Sequence, residues 1–213
     1  MHAAEKRQRT LVKICGVRSP ADARAALDAG ADAVGVVIAA GSPRGVTPAD
    51  ALQIAQVAGE RAVLVLRDPG AETMEFASKW AGPVQFHHPY PRPDRRHIAA
   101  RGPADSAVAD ARISAWLLDA PNPGSGTAWE WPAAGRLPTD RPVILAGGLT
   151  PDNVASAIRT ARPWAVDVSS GVEGARGVKD LALVRRFIDA VRACDLADGG
   201  PLGAVPPGFE SLR

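Results

Sequence analysis

Short apolar runs alternate along the chain with alanine-rich stretches of helical character. Seven of these runs predict β-strands: Leu11–Cys15, Asp32–Ile38, Ala62–Leu66, Val84–His87, Ile113–Asp119, Pro142–Ala146 and Ala165–Ser169. A shorter run at Arg96–Ala100 supplies an eighth strand. Five intervening stretches predict helices: Ser19–Asp28, Pro48–Ala58, Ala71–Trp80, Pro151–Ala161 and Asp180–Ala193. Apolar strands that alternate with helices are typical of a parallel sheet buried on both faces.

The boundaries of the predicted helices carry local signals. A hydroxyl residue precedes a proline at Ser19-Pro20, Thr47-Pro48 and Thr150-Pro151. This pattern predicts that each hydroxyl caps a helix whose first turn contains the proline. Gly30 follows the first helix, where a glycine in the left-handed conformation commonly ends a helix.

Eight strands predict a closed (β/α)8 barrel, although 213 residues are few for a fold that typically needs about 250. The shortage falls on residues 88–95, which read His-Pro-Tyr-Pro-Arg-Pro-Asp-Arg. Proline inside a helix costs about 3 kcal/mol, so we expect a loop in place of the helix after strand four. We expect one domain at residues 11–196, an N-terminal tail at 1–10 and a flexible C-terminal tail at 197–213.

Composition and charge exclude several classes of protein. The 25 basic and 23 acidic side chains give a net charge of +2, which argues against a dedicated nucleic-acid or membrane-surface binder. No stretch approaches the roughly 18 to 20 apolar residues of a membrane span, and the charged start does not look like a secretory signal. Cys15 and Cys194 form no disulfide framework or zinc motif, so we expect a cytoplasmic protein.

Chemically distinctive residues follow several predicted strands. Strand carboxyl ends face one mouth in such a barrel, so Cys15, Arg44, His87 and Asp119 are expected there. Cys15 is either a buried apolar thiol or a partly ionised base. Asp119 either caps the next loop or, with a pKa raised by burial, serves as a general acid. Arg44 either pairs with a surface carboxylate or captures a substrate carboxylate.

Glycine-containing turns follow the seventh and eighth predicted strands. The backbone at Gly147-Gly148 and Ser170-Gly171 can approach an anion closely, and a short helix at Gly171-Val172-Glu173 would add its positive end. Phosphate binding at these turns recurs in barrels, whereas the alternative is two ordinary turns. The pair His87-His88 has no further ligand at metal spacing, so we expect no metal.

Six stretches together resemble the phosphoribosylanthranilate isomerase family of tryptophan biosynthesis. They span Val12–Asp180 and read VKICGVRSPADARAALDAGADAVGVV, SPRGVTPADA, VQFH, LLDAPNPGSGTAWEW, ILAGGLTPDNVASAI and VDVSSGVEGARGVKD. The resemblance implies a cofactor-free Amadori rearrangement of N-(5'-phosphoribosyl)anthranilate, with Cys15 as general base and Asp119 as general acid. It also implies that Arg44 holds the anthranilate carboxylate. The remaining substrate-binding assignments are His87 and, for the phosphate, Gly147, Gly148, Ser170 and Gly171.

The sequence departs from the family in one sector of the mouth. The family usually has VQLHG and then a helix, whereas this chain has VQFHH and the proline-rich segment. The third strand ends Val65-Leu66-Arg67-Asp68, where the family more often has Phe-Val-Asn. Two alternatives therefore stay open: an enzyme of specialised metabolism acting on another phosphoribosylated amine, and a catalytically silent phosphate-binding protein. We expect a monomer or homodimer whose partner is a small phosphorylated molecule.

Overall fold

Eight parallel strands close into a barrel in the computed structural model, which describes residues 9–87, 95–102, 110–120, 130–132, 137–138 and 141–198. The strands follow one another around the ring: β1 (Leu11–Cys15), β2 (Ala33–Ile38), β3 (Ala62–Leu66), β4 (Val84–His87), β5 (His97–Arg101), β6 (Ile113–Leu118), β7 (Val143–Leu145) and β8 (Ala165–Val168). The first strand pairs with both the second and the last, which closes the ring. The predicted (β/α)8 barrel is confirmed.

Five helices are described around the barrel: α1 (Pro20–Asp28), α2 (Pro48–Ala58), α3 (Ala71–Ser78), α4 (Val154–Ala161) and α5 (Leu181–Asp198). Single 3-10 turns occur at Gly59–Arg61 and Ser170–Val172. A short antiparallel hairpin, β9 (Glu173–Ala175) and β10 (Val178–Lys179), lies between β8 and α5. Within the described residues, no helix combines the length and the apolar character that crossing a membrane requires.

Alternate strand residues pack in two layers. One layer contacts the helices and includes Val12 and Ile14 of β1. The other fills the barrel interior and includes Leu11 and Cys15 of the same strand. Since side chains of a strand alternate between its two faces, Lys13 also points into the interior, where it is buried.

Side-chain capping explains where two helices begin, and a third helix begins later than predicted. The Ser19 hydroxyl accepts a hydrogen bond from the first turn of α1, and Thr47 forms a reciprocal capping box in α2. The prediction that Thr150 caps a helix is wrong, because α4 begins only at Val154 and its N-cap is Asn153. The Asn153 side chain instead accepts a hydrogen bond from the Thr150 N–H at 2.8 Å, which holds residues 151–153 in a turn.

Packing extends beyond both predicted ends of the domain. Thr10 is fully buried, and its N–H and hydroxyl donate to the Asp195 carboxylate at 2.9 and 2.6 Å. The last helix continues to Asp198, and so includes the first residues of the segment predicted as a tail. The rest of both predicted tails, residues 1–8 and 199–213, lies outside the described residues, as does 88–94, where a loop is expected to replace a helix.

Candidate active site

A cavity of about 320 Å³ opens at the carboxyl ends of the strands. Four predicted site residues line it: Cys15, Arg44, His87 and Asp119. They come from four different sectors of the barrel, and the closed sheet brings them to one mouth as expected. His88, the second member of the histidine pair, lies outside the described residues.

The four residues predicted to bind phosphate lie in turns beside this cavity rather than among the residues that line it. Gly147 and Gly148, which follow β7, both have positive φ angles, of 84° and 65°, a conformation that favours glycine. At Gly171, after β8, a Cβ atom would lie 1.9 Å from the carbonyl oxygen of Leu149. Glycine therefore allows the turn after β8 to pack directly on the turn after β7.

The short helix expected to open at Gly171-Val172-Glu173 is present only as one turn and ends before Glu173. The structure has a single 3-10 turn at Ser170–Val172, and Glu173 begins β9 instead. The Glu173 carboxylate accepts four hydrogen bonds in this conformation: two from Arg44, one from Lys179 and one from the N–H of Gly177 at 3.0 Å. Phosphate binding at these turns stays a prediction.

Cys15 ends β1 with its side chain only 8% exposed. Its Sγ occupies space next to Gly35 of β2, where a Cβ atom would lie 2.7 Å from the sulfur. Burial raises the pKa of the thiol, and Asp167 acts in the same direction, whereas Lys13 and Lys179 lower it. The net rise runs against the expectation of a partly ionised thiol in the free protein.

A buried ion pair lies beside Cys15. Lys13 Nζ donates to Asp167 Oδ1 at 2.8 Å, and the two side chains are 5% and 9% exposed. Burial lowers the pKa of Lys13, but Asp167 and Cys15 raise it by more, so the ammonium stays charged. This pair was not predicted from the sequence. A charged residue inside each of two apolar strands could have indicated it, because buried charges are rarely unpaired.

Asp119 follows the last residue of β6, and its Oδ1 accepts a hydrogen bond from the N–H of Ala120 at 2.8 Å. Burial raises the pKa of this carboxyl to about 6, with a further contribution from Asp167. At pH 7 about a tenth of the molecules therefore carry the proton, against fewer than about one in a thousand for an ordinary aspartic acid. Such a group can donate a proton near neutral pH.

His87 is a neutral member of the site. Burial lowers its pKa to about 4, and the charges of Arg67 and Lys13 act in the same direction. Its Nε2 lies 3.2 Å from the amide nitrogen of Gln85, which also lines the cavity. Gln85 Oε1 is buried without a hydrogen-bond partner among the described residues. This pair therefore offers polar groups without a net charge.

Arg44 is already engaged by a carboxylate. Its Nε and one terminal nitrogen donate to the two oxygens of Glu173 at 2.7 and 3.0 Å, and Lys179 donates to the same carboxylate at 2.8 Å. Burial raises the pKa of Glu173, but the hydrogen bonds from Arg44 and Lys179 outweigh it and lower that pKa to about 2. Two cations thus share one anion, which leaves this side of the mouth positively charged.

A closed parallel barrel with a buried thiol, a carboxylic acid of raised pKa and several cations around one cavity is the arrangement of an acid–base (β/α)8-barrel enzyme. Residues 12–190 match the family described as N-(5'phosphoribosyl)anthranilate (PRA) isomerase. The chain belongs to this family of enzymes, as its sequence resemblance indicated.

Individual relatives agree over most of the chain. It is 43% identical to the N-(5'-phosphoribosyl)anthranilate isomerase of Cellvibrio japonicus, over 83% of this chain and 91% of the relative. The crystal structure of TrpF from Jonesia denitrificans is similar, with a TM-score of 0.75 and 39% identity over 87% of this chain and 98% of that one. A phosphoribosyl anthranilate isomerase in complex with reduced 1-(o-carboxyphenylamino)-1-deoxyribulose 5-phosphate has a TM-score of 0.68 and 32% identity, over 86% and 99% of the two chains.

Proposed function

We propose that the protein catalyses the Amadori rearrangement of N-(5'-phosphoribosyl)anthranilate to 1-(2-carboxyphenylamino)-1-deoxyribulose 5-phosphate, a step of tryptophan biosynthesis. One observation carries the proposal: Cys15 and Asp119 face the same cavity from β1 and from the end of β6. A base and an acid on separate strands suit a substrate that must lose one proton and gain another at different atoms. The relative that binds the reduced product supports the same substrate class.

Protonated Asp119 donates its proton to the ribose ring oxygen, and the ring opens to a Schiff base between C1 and the anthranilate nitrogen. Cys15, as thiolate, then removes the proton from C2 and leaves an enolamine. The enolamine gains a proton at C1 and loses one from its C2 hydroxyl, which gives the ketone without net oxidation. The imine is itself the electron sink, so the reaction needs no cofactor or metal.

The raised pKa of Cys15 fits this order of steps. In the free protein burial favours the thiol, which protects the side chain from ionising before substrate arrives. Ring opening adds the positive charge of the protonated Schiff base to that of Lys13, whose ion-pair partner Asp167 lines the cavity. Both charges favour the thiolate, so the thiol releases its proton to water at the open mouth of the cavity, and the base forms when the C2 proton is ready to leave.

The two ends of the substrate are placed by charge and by backbone. We assign the phosphate to the backbone of the paired turns, at Gly147, Gly148, Ser170 and Gly171, and the anthranilate carboxylate to Arg44. Neutral His87 contributes hydrogen bonding beside the aromatic end. The proposal places the protein in the cytoplasm as a monomer or homodimer. A relative from Thermotoga maritima, 32% identical with a TM-score of 0.70, is a dimeric enzyme from which monomers were generated.

The test is turnover of N-(5'-phosphoribosyl)anthranilate generated in situ. We expect the wild type to convert it, and Cys15→Ser and Asp119→Asn to lower kcat by about 10² to 10⁴. Cys194→Ser is the matched control, because Cys194 is buried on α5, where its Sγ lies 3.6 Å from the carbonyl oxygen of Ala155. No turnover by folded wild type would refute the proposed function. Full activity in either site variant would refute the assigned role.

A further inference from the structure

Three arginines line the cavity, and they differ in how far the protein already satisfies them: Arg44, Arg67 and Arg176. Arg44 is bound through two nitrogens to Glu173. Arg67 and Arg176 are exposed, and neither has a hydrogen bond or ion pair in the part of the chain that the structure describes. A guanidinium that faces a substrate cavity without a protein partner is available to a ligand anion.

The two available arginines lie in different sectors of the mouth. Arg176 is in the turn of the β9–β10 hairpin, which follows β8; the next residue, Gly177, packs against Pro43 in the loop after β2. Arg67 directly follows β3, which pairs with β2 and β4. It therefore lies between Arg44, in the loop after β2, and His87, at the end of β4.

Arg67 supplies the positive charge of its own sector. His87, the neighbouring polar residue, is neutral at pH 7, because burial and the charge of Arg67 both lower its pKa. The next residue, Asp68, has a φ of 46°, an uncommon conformation for a residue other than glycine that tends to occur where function constrains the backbone. Arg67 is the cation that the turn after β3 contributes to the lining of the cavity.

We propose that Arg67 is a specificity-determining residue that binds the carboxylate on the aromatic end of the substrate, together with Arg44. This inference rests on the proposed function. Arg44 has fewer donors left for a substrate, because Glu173 occupies one edge of its guanidinium through two of its nitrogens. A second guanidinium from the neighbouring strand completes the charge that a buried carboxylate needs.

The test compares the same substitution at the two ends of β3. Arg67→Gln removes the cation at the mouth, and Arg61→Gln removes an exposed cation from the turn that precedes the strand. KM and kcat are measured on N-(5'-phosphoribosyl)anthranilate and on N-(5'-phosphoribosyl)aniline, which lacks the carboxylate. We expect Arg67→Gln to raise KM for the first substrate about tenfold and to leave KM for the second unchanged. We expect Arg61→Gln to change neither.

Two results would overturn the inference. An unchanged KM for the carboxylate substrate would show that Arg67 does not bind it. An equal rise in KM for both substrates would assign Arg67 to the sugar phosphate or to the fold. If the wild type turns over neither substrate, the proposed function fails separately. The inference on Arg67 is then tested by calorimetry with two ligands, the reduced product and the same compound without its carboxylate. It requires that Arg67→Gln weaken binding of the first ligand and leave binding of the second unchanged.

Discussion

Replacing Asp119 by asparagine is expected to lower kcat by about 10² to 10⁴ and, at the same time, to stabilise the folded protein at neutral pH. The wild-type carboxyl has a pKa of about 6, raised from 3.8 mainly by burial. The folded state therefore holds this proton more tightly than the unfolded state does. Asp119 costs little stability below about pH 4; its cost develops as the pH rises from about 4 to about 6 and is constant above that.

The size of the effect follows from the same two values. The difference between 3.8 and about 6 is equivalent to about 3 kcal/mol once the carboxyl is ionised in both states. Asparagine removes that charge and retains an oxygen that can accept the hydrogen bond from Ala120. We therefore expect Asp119→Asn to raise the free energy of unfolding by up to about 3 kcal/mol at pH 8 and by less than about 1 kcal/mol at pH 4.

Urea unfolding followed by circular dichroism at these two pH values measures the difference. Asp189→Asn is the control, because it removes an exposed charge from the outer helix α5. The reasoning is refuted if Asp119→Asn stabilises the protein equally at pH 8 and pH 4, or if Asp189→Asn has the same effect. A gain in stability at pH 8 with loss of activity would show that the site keeps this carboxyl at the expense of the fold.

Two further predictions concern the other catalytic group. Gly35→Ala would place a Cβ atom 2.7 Å from Cys15 Sγ. We therefore expect it to lower the free energy of unfolding in urea by about 1 to 3 kcal/mol and to lower kcat. Gly70→Ala is the control: its Cβ meets nothing within 4 Å, so we expect it to change neither stability nor kcat. The reactive form carries one proton, on Asp119, with Cys15 ionised. We therefore expect kcat/KM to rise as the doubly protonated protein loses its first proton, with an apparent pKa near 6, and to fall only when the second proton is lost, above the ordinary range of a cysteine thiol, because burial raises the pKa of Cys15. An alkaline limb below about pH 8 would contradict that assignment.

The strands and the closed barrel were predictable because the information is local and repeated. Each strand is an apolar run that must be buried on both faces, and eight such runs separated by short connections have few ways to pair. Helix starts were predictable where one hydroxyl determines them, as at Ser19 and Thr47. The start of α4 was not, because the side chain of Asn153 bonds back to Thr150 and delays the helix by one turn.

The candidate site was likewise predictable only in part. Cys15 and Asp119 were identifiable from sequence because each ends an apolar strand, and strand ends meet at one mouth. Their protonation was not, because it depends on burial and on charges from distant parts of the chain. Lys13 and Asp167, which act on Cys15, are 154 positions apart and meet only because the first strand pairs with the last.

The sequence by itself therefore determined the barrel, the end of it that carries the candidate site, and the two residues proposed as base and acid. Only the tertiary structure decided which charges are already paired, as Arg44 is with Glu173, and which, like Arg67, remain available to a substrate. The physical reason is that hydrophobic periodicity is a property of neighbouring residues, whereas an electrostatic field inside a cavity is summed over side chains from every strand that lines it.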